Sequence, residues 1–145
     1  MMAEEQKVLT VNIVTPSGIV YDHHATLLVV PAMAGQLGIM ANHEPIITPL
    51  EIGEIRVKRT DDPAREDAIA VNGGFMEVSH NVASIVADSA ERARDIDITR
   101  AQSAKERAQN AIKEASEHND TDELRRAQIA LQRAMNRINV KNHLS

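Results

Sequence analysis

A chain of 145 residues has room for one ordinary domain, or for a small domain with an appendage, and a hydrophobic content of 43% excludes wholesale disorder. Tyr21 and Phe75 are the only aromatic residues and Cys is absent, which excludes stacking platforms for single-stranded nucleic acid, a disulfide framework and a thiolate site. The formal net charge is −5, and it is unevenly spread.

Residues 1–88 hold 5 Lys/Arg against 12 Asp/Glu, a net of −7, whereas residues 89–145 hold 11 against 9, a net of +2. A basic segment following an acidic one points to an anionic partner for the C-terminal part, but the segment is too weakly basic for a nucleic-acid binder. The acidic start at residues 1–6 lacks the apolar run of a signal peptide, and no stretch is long enough to span a bilayer. These features, with the missing Cys, predict a soluble, cytoplasmic protein.

The first segment alternates with period 2. Leu9, Val11 and Ile13 share one face of a strand over 8–14, which ends at Thr15-Pro16-Ser17-Gly18, where Pro presets φ and Gly closes a turn. Further short strands are predicted at 25–31, 46–50, 55–60, 68–72, 75–78 and 82–88. They are separated by Gly35 and Gly38, Pro45 and Pro49, Gly53, Asp61-Asp62-Pro63, Gly73-Gly74 and His80-Asn81. Many short strands punctuated by Gly and Pro predict a β-sandwich or barrel, here a small sandwich over 1–88. Gly73-Gly74 precedes a strand and lacks a following Lys-Ser/Thr, so it reads as a bulge or close backbone approach and not as a phosphate loop. Of the six histidines, His23 and His24 point to opposite faces of a strand and none has metal-ligand spacing, so no metal is expected. No nucleophile elbow or triad context is present, and the chain is predicted not to be an enzyme.

After Ser89 the period becomes helical, and 89–145 is predicted to form an antiparallel two-helix hairpin. Ala101, Ala104, Ala108, Ala111 and Ala115 recur at three and four, with Ile98 and Ile112 beside them; Leu124, Ala127, Leu131, Ala134 and Ile138 form the facing seam. Asp95 or Asp97 can cap the first helix, and Asn119-Asp120-Thr121 breaks it and caps the second. A seam this rich in Ala buries little area, since trading one Leu for Ala gives up about 2 kcal/mol, so the hairpin is marginal. Arg100 and Arg107 lie on one stripe of the first helix, and Arg126, Arg133 and Arg137 on one stripe of the second. If the helices pack antiparallel, the two columns converge on one shallow groove whose guanidinium forks suit a polyphosphate. The competing reading is a solvated face with local ion pairs, such as Asp122 with Arg126.

Three stretches carry a family resemblance that covers nearly the whole chain. The run from Gly35-Gln36-Leu37-Gly38-Ile39 to His43-Glu44-Pro45-Ile46, the run Asn72-Gly73-Gly74-Phe75-Met76-Glu77-Val78, and Ala87-Asp88-Ser89-Ala90-Glu91-Arg92-Ala93 together resemble the epsilon subunit of bacterial F-type ATP synthases. Ala41-Asn42 stands where a Pro-Gly turn is common in that family, and Gln36 where Glu is common. The resemblance implies a ten-stranded β-sandwich followed by a helical hairpin, in a non-catalytic rotor subunit of the proton-transporting complex. The sandwich would clamp the gamma subunit and sit on the c-ring, with Gly35, Gln36 and His43 at the c-ring interface. The complex would lie at the cytoplasmic face of the cell membrane, this subunit peripheral to it. The hairpin would permit turnover when folded and, extended into the alpha/beta catalytic hexamer, inhibit ATP hydrolysis.

Ile96-Asp97-Ile98-Thr99-Arg100-Ala101 is similar to the Ile/Leu-Asp-x-x-Arg-Ala motif of the bacillus-like, ATP-binding type. By that resemblance Glu91, Ile96, Asp97 and Ala101 hold adenine, and Arg100, Arg107, Arg126, Arg133 and Arg137 serve the phosphates, with ATP as a regulatory ligand. A reading from another class is a free-standing nucleotide-sensing regulatory module.

Overall fold

The computed structural model describes residues 8–143, so the acidic start at 1–6 lies outside them. The chain divides after Ala93 into two compact units, one of strands and one of helices.

The strands are β1 (Leu9–Thr15), β2 (Gly18–Ala32), β3 (Gly35–Ile39), β4 (Ile46–Arg59), β5 (Glu66–Ser79), β6 (Val82–Ala87) and β7 (Ala90–Arg92). They form one barrel-like sheet. β1 pairs parallel with β6, β6 antiparallel with β5, β5 with β4 and β4 with β2, and β2 returns to β1, closing the circuit. β3 continues beyond β1 along β2, and β7 continues beyond β6 along β5.

The expected ten-stranded sandwich is therefore corrected to seven strands among the described residues. The reason lies in β2, β4 and β5, each 14 or 15 residues long. Each changes inward phase partway without ending, and β2 and β5 also exchange one partner for another, β1 for β3 and β7 for β6. In β2 the buried positions shift from Tyr21 and Ala25 to Leu28 and Val30 across a register irregularity. In β4 they shift from Leu50 to Ile55 and Val57 across Gly53, and in β5 from Ile69 and Val71 to Met76 and Val78 across Gly73-Gly74. Pro45, Asp61-Asp62-Pro63 and His80-Asn81 do separate strands, whereas Gly53 and Gly73-Gly74 bend strands around barrel corners and do not interrupt them. Gly53 allows a close crossing, since a Cβ there would stand 2.6 Å from Pro31 Cβ. At Gly74, with φ +137, a Cβ would stand 2.2 Å from the Val86 carbonyl oxygen. The close approach expected of this pair is present.

The barrel interior is filled by Leu9, Val11, Ile13, Leu28, Ile39, Ile55, Ile69, Met76 and Ile85, with Tyr21 as the one aromatic. Its partner in type, Phe75, points outward and is 60% exposed.

The helical unit contains α1 (Ile98–Glu117) and α2 (Thr121–His143). Asp97, not Asp95, is the N-cap of α1: its Oδ1 accepts from the Thr99 and Arg100 amides at 3.0 and 3.2 Å. The helix ends in a Schellman motif. Asn119 takes φ +54, the Asp120 amide donates to the Ala115 carbonyl at 3.0 Å, and the Asn119 amide donates to Ser116 at 3.3 Å. Asp120 then caps α2, its Oδ1 accepting from the Glu123 amide at 3.1 Å. One residue thus terminates one helix and starts the next, which forces a tight reversal. Ala101, Ala108 and Ala115 are buried at spacings of seven, as are Ala127 and Ala134, while Leu124, Leu131 and Ile138 are only half-buried.

Candidate functional site

The groove between α1 and α2 is floored by alanines because small side chains let the helix backbones approach. Ala104, Ala108 and Ala111 of α1 face Ala127 and Ala130 of α2, and the space above them has a volume of about 400 Å³. Arg107, Arg126, Arg133 and Arg137 rim it, with Glu123 as the one carboxylate among the lining residues. Four guanidiniums against one carboxylate leave a formal +3 around a shallow, open depression. Such a rim can offer charge-assisted, bidentate donors to a polyphosphate while the alanine floor admits a flat apolar group.

Arg126 is paired within its own helix. Its Nη1 meets Glu123 Oε2 at 3.2 Å, with side chains 75% and 50% exposed, so the local partner is Glu123 and not Asp122. A pair this exposed contributes about 0–1 kcal/mol and exchanges readily for a better acceptor.

The remaining candidates are distributed differently. Arg100 is exposed near the start of α1 and is not among the residues that line the groove. Ile96 and Ala101 are buried, at 3% and 1% exposure. Asp97 is exposed, with Oδ1 committed to the helix cap. Glu91 is half-buried on β7, opposite Ala70, and so belongs to the strand unit. Gly35 and Gln36 are exposed at the start of β3, a strand whose pairing is with β2. His43 follows β3 in a loop, half-buried, its Nδ1–H donating to the Glu44 carbonyl at 2.7 Å. Among the described residues no group of three His, Cys, Asp or Glu is placed to hold a metal ion, and no helix is long and apolar enough to cross a membrane.

A second surface was not singled out in the sequence. Register places Ile19, Val14, Val86, Phe75 and Pro49 side by side across β2, β1, β6, β5 and β4. Ile19 is 73% exposed, Phe75 60%, Val86 57%, and nearby Ile47 71%, an apolar band on the barrel exterior. Its signal was present in the alternation of 74–78, which puts Phe75 opposite to Met76 and Val78. Only pairing could show that outward residues of five strands coincide.

Two family descriptions match the chain: "ATP synthase, Delta/Epsilon chain, beta-sandwich domain" over residues 8–93 and "ATP synthase, Delta/Epsilon chain, long alpha-helix domain" over 94–142. They meet where the two units divide. An ATP synthase epsilon chain of Latilactobacillus sakei subsp. sakei (strain 23K) is 84% identical over 144 residues, covering 99% of each chain. One of Lacticaseibacillus casei (strain BL23) is 69% identical over 140 residues, covering 97% of this chain and 98% of its own. Among solved structures, a chain of the Euglena gracilis mitochondrial ATP synthase (OSCP/F1/c-ring) has a TM-score of 0.73 at 20% identity, covering 87% of this chain and 76% of that one. A chain of the Tetrahymena thermophila mitochondrial ATP synthase (central stalk/c-ring) has a TM-score of 0.51 at 15% identity, covering 60% and 68%. With its two units matched in turn and relatives aligned along nearly their full lengths, the chain belongs to the delta/epsilon-chain family of ATP synthase.

Proposed function

We propose that this chain is a non-catalytic central-stalk subunit of a proton-transporting ATP synthase, and that its helical unit is a regulatory switch whose folded form is favoured by ATP. The rotor part of this reading is supported by the names of its close relatives and by the F1/c-ring and central-stalk assemblies from which chains of similar fold were solved. The strand unit couples the gamma subunit to the c-ring. Its apolar band offers a face for gamma, and Gly35, Gln36 and His43 lie at the c-ring side. The assembly sits peripherally at the cytoplasmic face of the cell membrane.

The observation that carries the nucleotide reading is the convergence of Arg107, Arg126, Arg133 and Arg137 on one groove. ATP cross-links the two helices by phosphate–guanidinium bonds, with no metal required of the protein. Ile96, Asp97 and Ala101 serve adenine. For Asp97 this contact falls to the carboxylate oxygen that does not cap α1. Arg100, set apart from the groove, serves an outlying part of the ligand or the catalytic hexamer. When ATP falls, repulsion among the arginines and the thin alanine seam let the hairpin open, extend into the alpha/beta hexamer and inhibit hydrolysis. ATP at 100 times its dissociation constant shifts this balance by about 2.7 kcal/mol, a sizeable part of a hairpin's stability.

The test is a calorimetric titration of the purified chain with ATP, with ADP as control. Saturable one-to-one binding of ATP, much tighter than ADP, is the expected result. No heat at millimolar ATP overturns the switch and reduces the arginine column to a surface for the catalytic subunits.

A further inference from the structure

The strand unit contains a polar cluster that neither the groove nor the apolar band uses. Asp67 on β5 is 4% exposed, the one buried charged side chain among the described residues. A buried carboxylate is tolerated only with donors around it, and here Tyr21 Oη donates to Oδ2 at 2.5 Å, Arg65 Nε lies 3.3 Å from Oδ1, and Arg59 Nη1 lies 3.6 Å from Oδ2. Tyr21 is thereby held in one orientation. Two further groups meet its ring: His23, with centroids 4.7 Å apart at 59°, and the Arg92 guanidinium, 5.2 Å from the ring centroid.

Arg92 gives this cluster its consequence. It is the last residue of β7, a strand of three residues whose partner is β5, through Ala90↔Val71, Glu91↔Ala70 and Arg92↔Ile69. So short a ladder is marginal by itself. Ala90 packs against the barrel core at one end of β7, and at the other the Arg92–Tyr21 contact is a side-chain anchor, with the Tyr21–Asp67 bond fixing the platform beneath it.

Beyond β7 comes a single 3-10 turn, Ala93–Asp95, then Ile96 and the cap Asp97 before α1 begins. With β7 docked, the tether from barrel to α1 starts at Ala93. With β7 peeled away it starts at Ala90, and three more residues add about 10 Å of reach. We propose that Arg92, Tyr21 and Asp67 form a latch on β7 that sets the length of the tether to the helical unit, and that its release accompanies extension of the hairpin. This rests on the switch proposed above. Tyr21 and Asp67 are positioning residues: they act through β7 and touch no ligand.

Hydrogen exchange of the full chain without nucleotide tests the latch independently of the switch. Arg92→Ala should speed exchange of the amides that bond β5 to β7, within 69–72 and 90–92, by about fivefold while β1 and β6 stay protected. Tyr21→Phe, which keeps the ring and loses the bond to Asp67, should give a smaller rise at the same amides. Unchanged exchange at 90–92, or a rise spread evenly over the barrel, overturns the latch. In the assembled ATP synthase, Arg92→Ala should alter the extent of hydrolysis inhibition; local loosening of β7 with unaltered inhibition overturns its role in the tether. A wild-type complex in which removing the hairpin leaves hydrolysis unchanged would instead overturn the switch, whatever β7 does.

Discussion

Glu123 is the one carboxylate in a groove otherwise rimmed by arginines, so removing its charge should tighten ATP binding. In Glu123→Gln the side chain keeps its length and loses its charge. Two terms then favour the nucleotide. Arg126 no longer gives up a pair at 3.2 Å, worth about 0–1 kcal/mol for partners this exposed. A phosphate about 8 Å from the former carboxylate escapes a repulsion of roughly 0.5 kcal/mol in bulk water, and about 2 kcal/mol at the dielectric of a protein surface. Exposures of 75% and 50% place the site toward the watery end, so the sum is about 1 kcal/mol, a roughly fivefold tighter dissociation constant. An opposing effect acts on the helix, because Glu123 in the first turn of α2 favours the dipole by about 0.3–1 kcal/mol. The ATP-free hairpin should therefore unfold slightly more easily. Calorimetry at 0.1 M and 1 M salt reads the affinity, and the gain should shrink as the screening length falls from about 10 to 3 Å. Glu106→Gln, on α1 and not among the residues that line the groove, is the control. If Glu123→Gln binds ATP no better than wild type, or Glu106→Gln gives the same gain, the groove is not where the phosphates sit.

Three other outcomes follow from the geometry. Gly74→Ala meets the Val86 carbonyl oxygen at 2.2 Å and a φ of +137, and should destabilise the strand unit by more than about 2 kcal/mol, lowering its melting temperature by about 10 °C. Gly38→Ala, whose nearest neighbour would be Leu27 Cδ1 at 3.8 Å, should be tolerated in the same thermal scan. Asp97→Ala should cost the helical unit about 1 kcal/mol and speed amide exchange at Thr99 and Arg100, whereas Asp95→Ala should not. Burial, reinforced by Arg59 and Arg92, holds the His23 pKa below its usual 6.5. The unfolded chain therefore takes up a proton that the folded chain refuses, and stability should fall as pH drops below about 6.5. His23→Gln should flatten that part of a urea-unfolding profile measured from pH 8 to 5. Asp61, held low by its hydrogen bond to Arg59, adds its own loss only in the acid range below the usual carboxylate value.

Local signals carried the helical unit almost entirely. The alanine period, the cap at Asp97 and the break at Asn119-Asp120 depend on neighbours within a few residues, and each is in the structure. The arginine column was legible for the same reason, since positions seven apart on a helix face alike. Its limits were not legible. Whether Arg100 reaches the groove depends on how far along α1 the facing helix offers a partner, and whether Arg126 meets Asp122 or Glu123 depends on rotamers that spacing leaves open.

In the strand unit the sequence by itself determined which residues alternate and where the chain bends, because steric preferences at Gly and Pro and the period of a pleat are properties of short segments. Tertiary structure alone decided what the bends meant. Gly53 and Gly73-Gly74 could end strands or turn them through a corner. The choice fell to corners because β4 and β5 then keep their ladder across the bend while their inward phase resets to fill one interior. Closure through the parallel β1–β6 pair, the edge position of β3, the outward band around Phe75 and the burial of Asp67 among Tyr21, Arg59 and Arg65 all join residues distant in sequence. No local preference encodes them; they follow from burying one face of the sheet inside a closed circuit of strands.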